Sequence, residues 1–277
     1  MSQENRCLSC SNEFEGKYCN VCGEKVIDQK DRRLVYFLGE LVNAITFADS
    51  KLWRSVLSIV VKPGQMSHDY IRGVRRKYMR PLSFFFLANL IYFLFPIFNT
   101  FNTTLYHQTN SFSFLHSSIA REMVNQRIET EELAYEEFEV KYNAKTTELS
   151  KLLLILMVFL SAMVFWVIHI GSSKKLLADH LTISLELMTY TLVVCMEAFG
   201  LILIGLKLIG LSIASSEMYT SLMVLLLIGY FVFYAERNFY EFRRKRRWVN
   251  TIVVLITFMM NVFFYRAMLF FVTFWLL

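Results

Sequence analysis

From residue 82 to residue 277 the hydrophobic pattern consists of five long apolar runs separated by polar segments. The runs cover 82–98, 152–170, 185–206, 218–235 and 248–277. A helix needs about 20 apolar residues to cross about 30 Å of hydrocarbon, so the pattern predicts about five membrane spans. The last run, at about 30 residues, exceeds one bilayer core. It is either one long tilted helix or a span to Tyr265 followed by a re-entrant or interfacial end. Between the first two runs, 99–150 is polar and rich in Glu after Ser117. Its apolar residues, Ile119, Met123, Ile128, Leu133, Tyr135 and Phe138, predict one or two helices outside the membrane, continuous with the second span.

Ahead of the first run the pattern is amphipathic. Leu34, Phe37, Leu38, Leu41 and Ile45 recur at three- and four-residue spacing, and Trp53, Val56, Leu57, Val60 and Val61 form a second short stripe. Neither is long enough to span, and both suit helices lying on the bilayer or packed on the membrane domain. The next stretch, 62–86, carries Pro63-Gly64 and Pro81 as breakers around about four expected helical turns. Between them Arg72, Arg75, Arg76, Lys77 and Arg80 interleave with Tyr70 and Tyr78. Cations beside aromatics just before a span suit the headgroup layer of a bilayer, with anionic lipid as the partner. The organisation expected is therefore a module at 1–30, amphipathic helices at 31–81, and a membrane domain at 82–277 with an extracytoplasmic insert at 99–150.

Composition agrees with the pattern. The 277 residues are 55% hydrophobic and 19% charged, more apolar and less charged than ordinary soluble domains. Residues 1–36 are polar and show no cleavable signal peptide. The net charge of +6 matters less than its placement. Residues 62–82, 171–184 and 237–247 are basic, whereas 106–151 hold 5 Lys/Arg against 8 acids. With five spans the basic segments fall on one side, which the positive-inside tendency makes cytoplasmic. The expected fold is all-α and polytopic, N-terminus in and C-terminus out.

Four cysteines head the chain as Cys7-x2-Cys10 and Cys19-x2-Cys22, with Gly23 after the last. Each pair can present two thiolates on a tight knuckle, and two knuckles make a four-sulfur tetrahedron suited to one structural zinc ion. Rubredoxin-like iron fits the same ligands. Two disulfides suit the spacing poorly and a reducing cytoplasm worse, and a redox dithiol lacks its βαβ setting. Four Cys ligands leave no open position for catalysis. Cys195, inside the third run, is expected to fill a buried apolar gap.

The two-knuckle ribbon, with Pro63-Gly64, Tyr70-Ile71, Gly73, Arg75, Tyr78 and Pro81 downstream, resembles an uncharacterised family of bacterial membrane proteins. That family is a domain of unknown function common in Bacteroidetes-type genomes. Glu24 stands where Gln is more usual, which changes no ligand. The resemblance covers 7–86 and implies location and metal, not an activity.

Charged groups inside the spans are costly and are default candidates for function. Glu186 and Glu197 are eleven residues apart, close to three α-helical turns, so one face is expected to carry both. They suit a proton or cation path, or a hydrogen bond between helices, with Asn261 as a partner for Glu197. Arg266 and Lys207 are expected to snorkel. Gly200, Gly205 and Gly210 recur every five residues and form no single packing face. The run Arg243, Arg244, Lys245, Arg246 and Arg247 abuts Trp248, which favours a lipid-contacting anchor over nucleic-acid binding. His169 and His180 flank a membrane turn without a matching ligand set, and no hydrolase or phosphate-loop motif occurs. These features point to a non-catalytic membrane adaptor whose ribbon binds an unknown cytoplasmic protein, with oligomerisation possible. The alternatives are a permeation protein using Glu186 and Glu197, and a lipid-modifying enzyme fed by the basic interface.

Overall fold

Two units make up the chain, Met1–Lys51 and Leu52–Leu277. The computed structural model describes residues 4–7, 10–16, 19–21, 50–110, 116–132, 134–170, 176–210 and 217–277. The amphipathic stripe from Leu34 to Ile45, Cys22, and the turn with Gly171, Lys174 and Lys175 lie outside these residues.

In the first unit, β1 (Glu4–Arg6) and β2 (Glu13–Glu15) pair antiparallel with Asn5 opposite Phe14. Among the described residues, Cys7, Phe14 and Cys19 form its buried cluster.

The second unit is helical. It comprises α1 (50–61), α2 (Gln65–Ile71), α3 (Pro81–Leu94), α4 (Leu105–Asn110), α5 (Ser117–Glu131), α6 (Tyr135–Ile168), α7 (Leu177–Tyr190), a π segment (Thr191–Ala198), α8 (Phe199–Leu208), α9 (Glu217–Asn238) and α10 (Arg244–Trp275). Among the described residues, four helices are long and apolar enough to cross a membrane: α6, the continuous α7–π–α8 helix, α9 and α10. Helix α7 sits centrally, touching α2, α3, α6 and α9. Phe84, Phe85, Phe165, Leu187, Phe231 and Tyr265 belong to the shared core. Outward faces remain apolar, as with Leu152, Phe159, Leu201, Leu226 and Ile256, which suits a hydrocarbon solvent rather than water.

Several expectations change. The first expected span is the 14-residue α3, about 21 Å long at 1.5 Å per residue and too short to cross alone. An irregular stretch, 95–104, follows it. Tyr265 donates from its hydroxyl to the carbonyls of Phe101 and Ser150 at 3.0 and 3.3 Å. Arg266 donates from Nε and Nη2 to the Thr100 carbonyl at 3.1 and 3.0 Å. Residues 95–103 thus sit at the opposite end of the bundle from α2, and Arg266 is a clamp on them rather than a snorkelling cation.

The four turns expected between Gly64 and Pro81 stop after two. Gly73 takes φ +93, a left-handed conformation that ends a helix, and 72–80 is irregular. The last apolar run is a single helix of 32 residues. The 99–150 segment contains α4, α5 and the first half of α6, so the second span does continue outward.

Candidate functional site

The densest buried polar chemistry lies where α2 meets the ends of the long helices. Glu186, fully buried in α7, receives the first turn of α2. The Gly64 amide donates to Oε1 at 2.7 Å and the Ser67 amide to Oε2 at 2.8 Å, and the Ser67 hydroxyl also donates to Oε2. Helix N-termini leave amides without intrahelical partners. Here a carboxylate 119 to 122 residues away in sequence supplies them. Asn238 at the end of α9 donates to the Pro63 carbonyl at 2.8 Å. Gly64 holds φ +81, and a Cβ there would lie 2.9 Å from the Ala235 Cα. The Pro63-Gly64 pair is therefore read by its backbone, and no larger residue fits at Gly64.

A second network adjoins the first. His169, which caps α6, bonds through Nδ1 to the Phe165 carbonyl at 2.6 Å, a contact in which the ring nitrogen is the donor. Its Nε2 then faces Glu236, 3.2 Å from Oε1 and 3.3 Å from Oε2. Asn250 of α10 donates to Glu236 Oε2 at 2.9 Å. Tyr240 stacks on His169 at 3.6 Å and 6°, and its hydroxyl meets His180 Nδ1 at 2.7 Å. His169, His180 and Glu236 are all buried. The network ties α6, α7, α9 and α10 at one end and presents no exposed nucleophile.

Sequence reasoning left His169 and His180 without partners because it ended the fourth span at Ala235 and gave Glu236 no role. A carboxylate one residue past an apolar run, with a histidine at the end of the preceding hairpin, was the available signal.

Glu197 behaves differently from Glu186. It lies in the π segment, where i→i+5 bonding widens the turn. The eleven-residue separation no longer amounts to three turns, and the two carboxylates do not share an environment. Among the described residues Glu197 Oε1 is buried with no hydrogen-bond partner. Asn261 is not that partner: it lies between α6 and α10 beside Ser161, Val164, Phe165, Val254 and Thr257. Gly200 does serve close packing, because a Cβ there would meet Ile97 Cγ2 at 2.6 Å. Cys195 is buried in the core as expected.

The basic residues divide into two exposed groups near α2. Arg72, Arg75, Arg76, Lys77 and Arg80 lie on the irregular 72–80 stretch, not on one helix face. Arg75 stands 5.2 Å from the Tyr70 ring, and Lys77 stands 4.7 Å from Tyr78 and 3.3 Å from Asp69. Burial works to raise the Asp69 carboxyl, but hydrogen bonds from Gln65 and Lys77 outweigh it, and the group ends below its usual value. Arg243 precedes α10, and Arg244, Lys245, Arg246 and Arg247 open it. Arg246 lies 3.9 Å over Phe242 and Arg247 lies 4.6 Å over Phe233.

In the first unit the sulfurs of Cys7, Cys10 and Cys19 lie within 4.8 Å of one another. Cys10 and Cys19 approach to 3.6 Å. A tetrahedron with 2.3 Å metal–sulfur bonds places its sulfurs about 3.8 Å apart, so the three thiols fit a metal ion. The knuckle closes with the Ser11 amide donating to the Cys7 carbonyl at 2.9 Å.

Residues 49–93 match a family described as a protein of unknown function (DUF3667). The matched segment contains α2, Gly64, Ser67 and the 72–80 stretch, that is, every residue that Glu186 holds. No curated protein and no solved structure matches the chain.

Proposed function

We propose that this chain is a non-catalytic scaffold of the bacterial inner membrane, with a cytoplasmic metal ribbon that docks a partner protein. The observation that supports it best is the saturation of Glu186. Both of its oxygens are engaged by the matched 49–93 segment, so the group orders a loop instead of lining a path. The His169–Glu236 network is enclosed in the same way. Cys7, Cys10, Cys19 and Cys22 would hold one structural zinc ion, which folds the ribbon and leaves no coordination site for substrate. On this reading the basic end around α2 faces the cytoplasm and the α4–α5 end faces outward.

A permeation role remains the second reading, because Glu197 Oε1 is buried without a partner and such groups mark ion paths in membranes. Reconstitution separates the two. A scaffold gives proton and cation leak no higher than protein-free vesicles. Metal analysis then finds about one zinc per chain, lost in Cys19→Ser. Flux above background that Glu197→Gln abolishes would sink the scaffold and install the permeation reading.

A further inference from the structure

Helix α1 is turned inside out for a water-soluble surface. Over 52–61 it buries Ser55, Ser58 and Ile59 and exposes Trp53, Leu57, Val60 and Val61, with Trp53 70% accessible. The inward side makes specific bonds: Ser55 Oγ accepts from the Met79 amide at 2.9 Å. On the other side of the helix, the Val60 carbonyl accepts from the Tyr230 hydroxyl at 3.1 Å. Ile59 lies in the core with Leu52 and Val56 packed against it, so bonding and apolar packing together fix the orientation. Exposed at i, i+4, i+7 and i+8, the stripe has the spacing of one helical face.

Cations gather at the same end. Residues 72–80 and 243–247 each hold five Lys/Arg and no acid. The second unit brings them together through α2, since Asn238 holds Pro63 and His68 Nε2 lies 3.6 Å from Glu241. Lys77 is matched by Asp69, whereas Arg72, Arg76 and Arg80 are exposed and have no acidic partner among the described residues. An outward apolar stripe headed by Trp, beside a basic rim, is the chemistry of a helix lying in the headgroup–acyl boundary.

We propose that α1 lies in the plane of the bilayer surface, with Trp53, Leu57, Val60 and Val61 in the acyl chains, while 72–80 and 243–247 hold anionic phospholipid headgroups. The inference depends on membrane insertion alone and stands whether the chain is a scaffold or a permeation protein.

The test uses full-length protein in lipid nanodiscs, comparing wild type with Trp53→Phe so that the difference spectrum belongs to Trp53. Lipids brominated high on the acyl chain should quench that difference emission, and aqueous iodide should leave it unchanged. Iodide quenching without bromolipid quenching would overturn the placement of α1. In discs of mixed phosphatidylcholine and phosphatidylglycerol, the lipid retained on gentle extraction should be enriched in phosphatidylglycerol. Enrichment should fall roughly fivefold for each cation neutralised in an R72Q/R76Q/R80Q variant, the factor that about 1 kcal/mol per surface cation implies. An unchanged melting temperature in neutral-lipid discs certifies the fold of the variant. If the variant does not fold, a salt titration of wild type decides: enrichment that persists at 1 M salt removes the electrostatic headgroup site.

Discussion

Glu186 and Glu197 stand on one continuous helix, and they show that depth in a membrane does not by itself define a functional carboxylate. Glu186 is the more buried of the two and the better satisfied, with two backbone amides and a hydroxyl converging on it. Glu197 is less enclosed, yet one of its oxygens has no partner among the described residues. The first works as a bracket for the Pro63-Gly64 turn. The second has no structural task that the fold displays. If saturation rather than depth sets the role, substitutions should rank accordingly.

The largest effect is expected at Glu186. Glu186→Leu strands two buried amides and leaves the Ser67 hydroxyl only the Thr182 carbonyl at 3.2 Å, and each unsatisfied donor costs about 1–3 kcal/mol. Thermal unfolding in detergent should show a loss of about 3–5 kcal/mol with α2 exposed to proteolysis. A variant as stable as wild type would mean that α2 is not held by this carboxylate. Glu236→Leu comes next, because it leaves the Asn250 amide without its acceptor and removes the carboxyl group that faces His169 Nε2. A cost of about 3 kcal/mol is expected for breaking a buried pair, and Glu236→Gln should recover part of it by keeping one acceptor oxygen. Gly64→Ala should cost about 1–3 kcal/mol through its left-handed φ, with the Ala235 backbone in the way. Its effect and that of Glu186→Leu should not add, since both release the same turn.

These same residues show what the sequence could and could not disclose. Hydropathy located the long helices because a span is a local property, about 20 residues of one character. Pro63, Gly64 and Pro81 also stood out, since breakers declare themselves residue by residue. Sequence reasoning failed on α3, which stops after 14 residues where a polar-bonded loop takes over, and on 72–80, where Gly73 outweighs the helical spacing of the arginines. Pairings were illegible for a different reason. The bonds from Gly64 to Glu186 and from His169 to Glu236 join residues 122 and 67 positions apart, and no periodicity encodes a contact at that range. The π segment hid in the same way, because nothing in Thr191–Ala198 departs from an ordinary apolar helix. The gathering of Cys7, Cys10 and Cys19 was legible because close cysteine spacing is itself geometry.

The opposite end of the bundle offers a milder test of the same rule. His116 Nε2 meets Gln108 Oε1 at 2.8 Å, and Gln108 Nε2 donates to the Arg266 carbonyl. Burial, followed by the Arg266 charge, holds the His116 pKa below its ordinary 6.5. A depressed value means that the unfolded chain takes up the proton first. The stabilisation is therefore complete above about 6.5 and is lost as pH falls through the folded value. The melting temperature should decline on acidification below that point, and His116→Gln should flatten the decline. An identical slope in the variant would assign the acid sensitivity to another group.

The smallest effect is expected at Glu197, and it is the one that decides between the functional readings. Gln has nearly the shape of Glu and, with Oε1 unbonded, loses no contact that the fold makes. The change in stability should stay within about 0.5 kcal/mol, the range of substitutions that disturb no packed or bonded feature. A loss near that of Glu186→Leu would mean that Glu197 is bonded after all, and the contrast between the carboxylates would collapse. A neutral result sharpens it, because an ionisable group kept inside a span without contributing to stability is held there at a cost. Flux measurement on that stable variant then becomes a clean test. Any difference from wild type would belong to the carboxyl group, with the bundle around it unchanged.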